Sequence, residues 1–308
     1  MSTPTKAWKA ALGDIWGQYR VWAATSRALK AQLSSWRRFA LTLSIAGAVV
    51  GTLSSQAAIP WGGLWAPLPK VLGILSAALL GLAAYFGKEV LSPDHEARWI
   101  RARAAAEGFK REAYLLLAQA PPYDGDITPA SLRRARDVAE AVKDLTPEPL
   151  SEEKKRERMP DAPLSVDDYI RVRVKEQVND FYLPRAEENR RMAKKIKDWS
   201  LWLGALAVAL GFLGTLWVGV PAFIAVVTTV TATLGAQLYA GRYEYLALSY
   251  LATARRLEEL LTNWEMSGQT EAERGQLVVD CERAFAVENS AWMAEWTKPP
   301  AGTPKGGS

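Results

Sequence analysis

The sequence predicts an all-α membrane protein: four transmembrane helices, arranged as two hairpins in a parallel duplication, joined to a cytoplasmic helical, coiled-coil-like bundle. Three observations predict it: two long uncharged runs, basic residues massed at their borders, and a repeat that relates the two halves. The clearest run extends from Trp199 to Gly241, 43 residues without a charge, between Lys197-Asp198 and Arg242. A bilayer core is about 30 Å thick and takes roughly 20 apolar residues at about 1.5 Å each, so such a run suits two crossings and a tight turn. The mean hydropathy of −0.08 and the 49% hydrophobic content conceal this, because charged segments dilute the apolar ones.

In chain order, the first element is a leading helix. Trp8, Leu12, Ile15, Tyr19, Trp22, Ser26, Leu29, Leu33 and Trp36 are spaced alternately four and three apart, the heptad spacing that keeps one face against a partner helix. An uncharged run from Phe39 to Pro69 follows, meets Lys70, and continues to Gly87, which places crossings at about 39–59 and 68–87. Trp61 and Trp65 lie in the intervening turn, where amphipathic rings suit the headgroup region. Ser92-Pro93-Asp94-His95-Glu96 then reads as a helix start, with a capping serine, a proline at the first helical position and acids near the positive end. Capping explains His95 without catalysis. A short helix within 131–142 precedes a charged, proline-containing segment at 144–164, read as a solvated linker.

The second unit, 165–297, begins with a helix that Pro184 is expected to kink or break. Crossings at about 199–217 and 222–241 flank a turn at Gly219-Val220-Pro221, beside Trp217. Tyr243, Ala247, Tyr250, Ala254, Leu257, Leu261 and Trp264 renew the heptad seam, and a last helix carries Val278, Cys281, Phe285, Trp292 and Trp296 on one side. The tail at 298–308, rich in proline and glycine, is expected to be disordered.

The halves repeat. A shift of 163 residues superposes Tyr19 on Tyr182, Ala23 on Ala186, Arg27 on Arg190, Trp36 on Trp199 and Gly51-Thr52-Leu53 on Gly214-Thr215-Leu216. A shift of 144 superposes Arg98-Trp99 on Arg242-Tyr243, Arg111 on Arg255 and Leu116-Leu117 on Leu260-Leu261. Units at 1–143 and 165–297 therefore share one orientation, unlike the inverted repeats of many transporters. Lysine and arginine crowd the outer flank of all four crossings, among them Arg37, Arg38, Lys88, Arg98, Lys194, Lys195, Lys197 and Arg242. Both termini and all four flanks are therefore expected on the cytoplasmic side.

Composition narrows the function. One cysteine and one histidine leave little scope for disulfide, zinc or imidazole chemistry. The net charge of +5 sits at the membrane borders and suits anionic lipid, with no basic stripe clear of them for nucleic acid. No phosphate-binding glycine loop or nucleophile elbow is found, Cys281 reads as a small buried hydrophobe, and no charge lies at mid-membrane to suit a proton-coupled pump. No catalytic, cofactor or metal site is expected, and the chain is read as not an enzyme.

Within the crossings, Gly47, Gly51, Gly73, Gly81, Gly204, Gly211 and Gly214 lie at spacings that permit close helix approach. The fourth crossing differs, because Thr229, Thr233 and Gln237 form a polar stripe at steps of four. Two readings stay open: helix packing, with each threonine bonded to its own backbone, or a water-lined pathway. Gln56 and Gln237 could equally form rings in an oligomeric pore or serve as interfacial polar groups.

Arg98-Trp99, Lys110-Arg111-Glu112-Ala113-Tyr114-Leu115 before Pro121-Pro122-Tyr123, Val174 through Tyr182, and Glu282 through Trp292 together resemble the SLATT family, the SMODS- and SLOG-associating two-transmembrane effector domains. The likeness covers most of the chain as two tandem copies. It implies a bacterial inner-membrane effector thought to form pores or disrupt membranes in antiphage defence, triggered by a nucleotide-sensing or nucleotide-generating partner protein. It transfers no catalytic residues, and Pro184 departs from an unbroken leading helix. The expectation is thus a homo-oligomeric, pore- or channel-forming effector gated through its cytoplasmic helices. A non-conducting scaffold presenting helices to a soluble partner and a constitutive ion channel are the alternatives.

Overall fold

Helix α1 extends without interruption over Lys6–Ala57, so the heptad seam and the first apolar run belong to one 52-residue rod. The computed structural model describes residues 5–57, 67–90, 92–150, 159–160, 162–217 and 220–296. Trp61, Trp65, Gly219 and the 298–308 tail fall outside these residues. Next come α2 (Leu68–Tyr85), closed by a π-helical turn at Phe86–Val90, then α3 (Pro93–Leu117) and the short α4 (Arg133–Glu140). Helix α5 (Val166–Tyr169) passes through π-helical turns at Ile170–Lys175 and Gln177–Tyr182 into α6 (Leu183–Gly214). Helices α7 (Pro221–Gly241), α8 (Tyr243–Met266) and α9 (Glu271–Trp296) follow, and no strand occurs among the described residues.

Pro184 does not break its helix, which stays helical over Val166–Gly214. The reason lies in the spacing of the buried residues. Val174, Val178, Tyr182 and Ala186 recur every four positions and are all buried. An α-helix with about 3.6 residues per turn would rotate such a series by about 40° at each step. The wider π turns offset that drift and hold the series on one face, and they supply slack just before a residue that lacks an N–H.

Two compact units cut across the sequence order. The described parts of Met1–Lys30, Glu96–Ala186 and Leu248–Ser308 form unit 1, and Ala31–His95 with Glu187–Ala247 form unit 2. Each unit thus draws on both halves of the sequence rather than on one tandem copy.

Unit 1 has an aromatic and aliphatic core. Trp8, Leu12, Ile15 and Trp22 of the first seam are buried, as are Tyr250, Ala254, Leu257 and Trp264 of α8 and Val278, Cys281, Phe285, Trp292 and Trp296 of α9. The Trp8 indole donates to the Leu116 carbonyl at 3.2 Å, tying α1 to the end of α3. The described start of the segment read as a solvated linker is anchored: Asp144 pairs with Arg101, and the Glu148 N–H donates to Thr25 Oγ1 at 2.9 Å.

Unit 2 is apolar on its outside. Ile74, Leu201, Trp202, Val208 and Phe212 are each at least 70% exposed. Among the described residues, four helices are long and apolar enough to cross a bilayer, and only 6–11% of each apolar window is buried. A water-facing surface of this kind would be a large unpartnered apolar patch, whereas hydrocarbon tails match it.

Candidate transmembrane elements and buried ionic core

Helices α1 and α2 pack antiparallel where small residues allow it. A Cβ on Gly47 would fall 2.8 Å from Leu80 Cγ, and one on Gly51 would fall 2.8 Å from Ser76 Oγ. The Ser76 hydroxyl instead donates to the Gly47 carbonyl at 2.8 Å, and Ser54 donates to Pro69 at 2.6 Å, close to Gly73. Close approach is thus combined with hydrogen bonds between the two helices. Among the described residues, no atom of another element lies within 4 Å of a Cβ position on Gly81, Gly204 or Gly211. Gly214 is the last residue of α6.

The polar stripe of α7 is internally satisfied. Thr229 Oγ1 donates to the Ala225 carbonyl at 2.8 Å, and Thr233 Oγ1 donates to the Thr229 carbonyl at 2.7 Å. Thr228 and Thr231 bond their own helix in the same way. Gln237 Nε2 donates to the Tyr243 hydroxyl at 3.1 Å, across the left-handed Arg242 (φ 47°) that separates α7 from α8. Thr229, Thr233 and Gln237 are all half-buried on the single chain.

Unit 1 contains a charged centre that the sequence spacing did not reveal. Arg173 and Glu282, 2% and 0% exposed, form a two-point ion pair, Nε to Oε1 at 2.8 Å and Nη2 to Oε2 at 2.9 Å. Tyr169 donates its hydroxyl to Glu282 Oε1 at 3.0 Å. The Arg173 guanidinium also lies 4.1 Å from the Phe285 ring centroid and 4.7 Å from that of Tyr114. Burial opposes its charge, yet the Glu282 carboxylate and its hydrogen bonds hold the guanidinium firmly protonated. Nearby, Lys110 donates to Gln177 Oε1 at 3.1 Å, and burial with the adjoining Arg173 charge brings its ammonium down to about 8. Burial, reinforced by Glu282, pushes the Cys281 thiol up to about 12, so it is no nucleophile at neutral pH.

Two further buried carboxylates fix the same unit. Glu112 accepts the Tyr123 hydroxyl at 2.8 Å and meets Arg134 Nε at 3.2 Å. Glu288 faces Arg103 at 3.9 Å, and the Arg103 guanidinium lies 3.9 Å from the Trp292 ring centroid. Burial, with a smaller push from Glu107 against the pull of Arg103, raises the Glu288 carboxyl to about 7. A folded-state value above the ordinary carboxylate range means that Glu288 stabilises the fold below that range and loses the contribution as pH rises through about 7. Stability of the full chain in detergent, read from thermal unfolding, should therefore fall between about pH 4.5 and about pH 7, by at most about 1.4 kcal/mol per pH unit. Glu288→Gln should flatten that slope, and equal slopes would refute the assignment.

His95 sits near the start of α3, where its N–H donates to the Ser92 carbonyl at 3.2 Å and its Nδ1 lies 2.9 Å from Ser92 Oγ, so the Ser92 hydroxyl meets the ring and not a backbone N–H as a cap would. Among the described residues, no group of three or more His, Cys, Asp or Glu side chains is placed to hold a metal ion.

Comparison with protein families adds what geometry alone does not. Residues 169–292 match the model of SLATT_1, the SMODS and SLOG-associating 2TM effector domain 1. This part of the chain is similar to a SLATT domain. The SLATT match begins at Tyr169 and ends at Trp292, so it contains Arg173 with Glu282 and both apolar helices α6 and α7. A different model, described as a protein of unknown function (DUF4231), matches residues 20–130. Two tandem SLATT copies are thus supported at one of the two positions. Searches of curated proteins and of solved structures found no match. Among the described residues, four helices are long and apolar enough to cross a membrane, and the family match at 169–292 is to a domain described as a two-transmembrane effector.

Proposed function

We propose that this chain is a pore- or channel-forming membrane effector of a bacterial defence system, active as a homo-oligomer and gated through unit 1. The SLATT match across the apolar α6–α7 pair carries the reading. Further support comes from the apolar exterior of unit 2, which suits lipid and neighbouring chains, and from Gly81, Gly204 and Gly211, which offer close-approach surfaces unused among the described residues. Four crossings are too few to enclose a wide pore, so several chains assemble. The N-terminal half acts as a second SLATT-like unit in the same orientation. By the distribution of lysine and arginine, unit 1 and both termini lie on the cytoplasmic side of the inner membrane.

Gating is a population shift: a signal that binds one arrangement of unit 1 better than another favours the conducting state. A nucleotide-sensing or nucleotide-generating protein is the partner we expect to supply it. Thr229, Thr233 and Gln237 line the pathway, each threonine presenting a hydroxyl that remains an acceptor for water after bonding its helix. Thr233→Leu should lower single-channel conductance while the oligomer elutes unchanged, whereas undiminished conductance would remove the stripe from the pathway. A non-conducting scaffold is the second reading, favoured by the fully bonded threonines of α7. Co-purification of one soluble partner with no depolarisation on expression would support it.

A further inference from the structure

One face of α6 combines charge and aromatic side chains where the charged part of the helix gives way to the apolar part. Ala193 and Ile196 are buried, 4% and 6% exposed, so this stretch of α6 has an inner side. Arg191, Lys194, Lys195, Asp198, Trp199 and Trp202 are all exposed and line an open groove of about 530 Å³. They fall at successive steps of 3, 1, 3, 1 and 3, so each has a neighbour three or four positions away on one stripe, and they span about 16 Å of axial rise. That length covers a headgroup layer and the first part of the hydrocarbon. Below Trp199 the chain carries no charge as far as Gly241.

The counterpart of Trp199, at a shift of 163 residues, is Trp36, which is half-buried and stacks on Phe86 with ring centroids 4.9 Å apart. Trp199 is 55% exposed and Trp202 is 74% exposed. Charges differ as well. Lys197, around the helix, pairs with Glu244, while Arg191 reaches Glu187 at 3.4 Å and the groove itself holds three bases against the one acid, Asp198.

We propose that this groove is a headgroup site for one anionic phospholipid. Lys194, Lys195 and Arg191 meet the phosphate, the two indoles lie at the glycerol and upper acyl level, and Asp198 accepts from a headgroup hydroxyl. The combination of net positive charge, interfacial tryptophan and an apolar continuation matches that ligand and no soluble anion, which would leave the tryptophans unused.

The test is native mass spectrometry of the full chain, purified in detergent with equal amounts of phosphatidylglycerol and phosphatidylcholine. Phosphatidylglycerol should be retained in preference, and Lys194→Gln with Lys195→Gln should reduce its retention at least tenfold, since each basic residue near an anionic surface is worth about fivefold. Arg191→Gln alone serves as the milder variant if the double one fails to fold. Equal retention of the two lipids, retention unchanged in a folded variant, or displacement by millimolar inorganic phosphate would each overturn the proposal. None of these readings depends on ion conduction, so they stand apart from the fate of the pore.

Discussion

Replacing Glu282 with alanine should cost about 3–5 kcal/mol of stability, because it strands the Arg173 guanidinium without its partner in a site that water does not reach. Tyr169 would lose its acceptor in the same step. Arg173→Ala should be comparably severe, leaving Glu282 as the uncompensated charge. The double replacement Arg173→Met with Glu282→Leu should recover much of the loss, since a well-packed apolar pair of similar volume removes both desolvation costs. Thermal unfolding of the full chain in detergent, followed by near-ultraviolet dichroism, would report all three. A double variant no better than the singles would show that the pair does more than satisfy itself.

Trp292→Ala should be the other large loss, about 3–5 kcal/mol. Trp292 is 1% exposed and packs edge-on against Trp99 at 5.1 Å and beside Trp296 at 5.7 Å. It also gives Arg103 an aromatic face at 3.9 Å, and that arginine moderates the buried Glu288. The alanine variant should therefore unfold earlier and also shift the pH at which stability is lost to a higher value, through a less firmly held Arg103. Trp217→Ala, at a ring 61% exposed, should change unit 1 by no more than about 0.5 kcal/mol.

How much the sequence disclosed follows from the kind of constraint involved. A bilayer fixes a minimum length and forbids charge, so the runs beginning at Phe39 and Trp199 can be read from composition alone. The heptad seam from Trp8 was equally legible, since each buried position is set by its distance from the next. Arg173 and Glu282 were not: each is one charged residue among many, they stand 109 positions apart, and a pairing at that distance has no local signature. The four-residue spacing of Val174, Val178, Tyr182 and Ala186 was a usable signal of widened turns, and it would have shown that Pro184 need not end its helix. At the candidate pathway, spacing placed Thr229, Thr233 and Gln237 on one stripe, but the hydroxyl bonds to Ala225 and Thr229 depend on rotamers that no pattern encodes.

The central claim is that an assembly of these chains conducts, and ion flux from liposomes containing the purified full-length protein tests it most directly. Flux that scales with a defined oligomer and falls in Thr233→Leu is the predicted result. A folded oligomer that passes no ions, both alone and after loosening of unit 1 by Glu282→Ala, would contradict it and leave a membrane scaffold in its place.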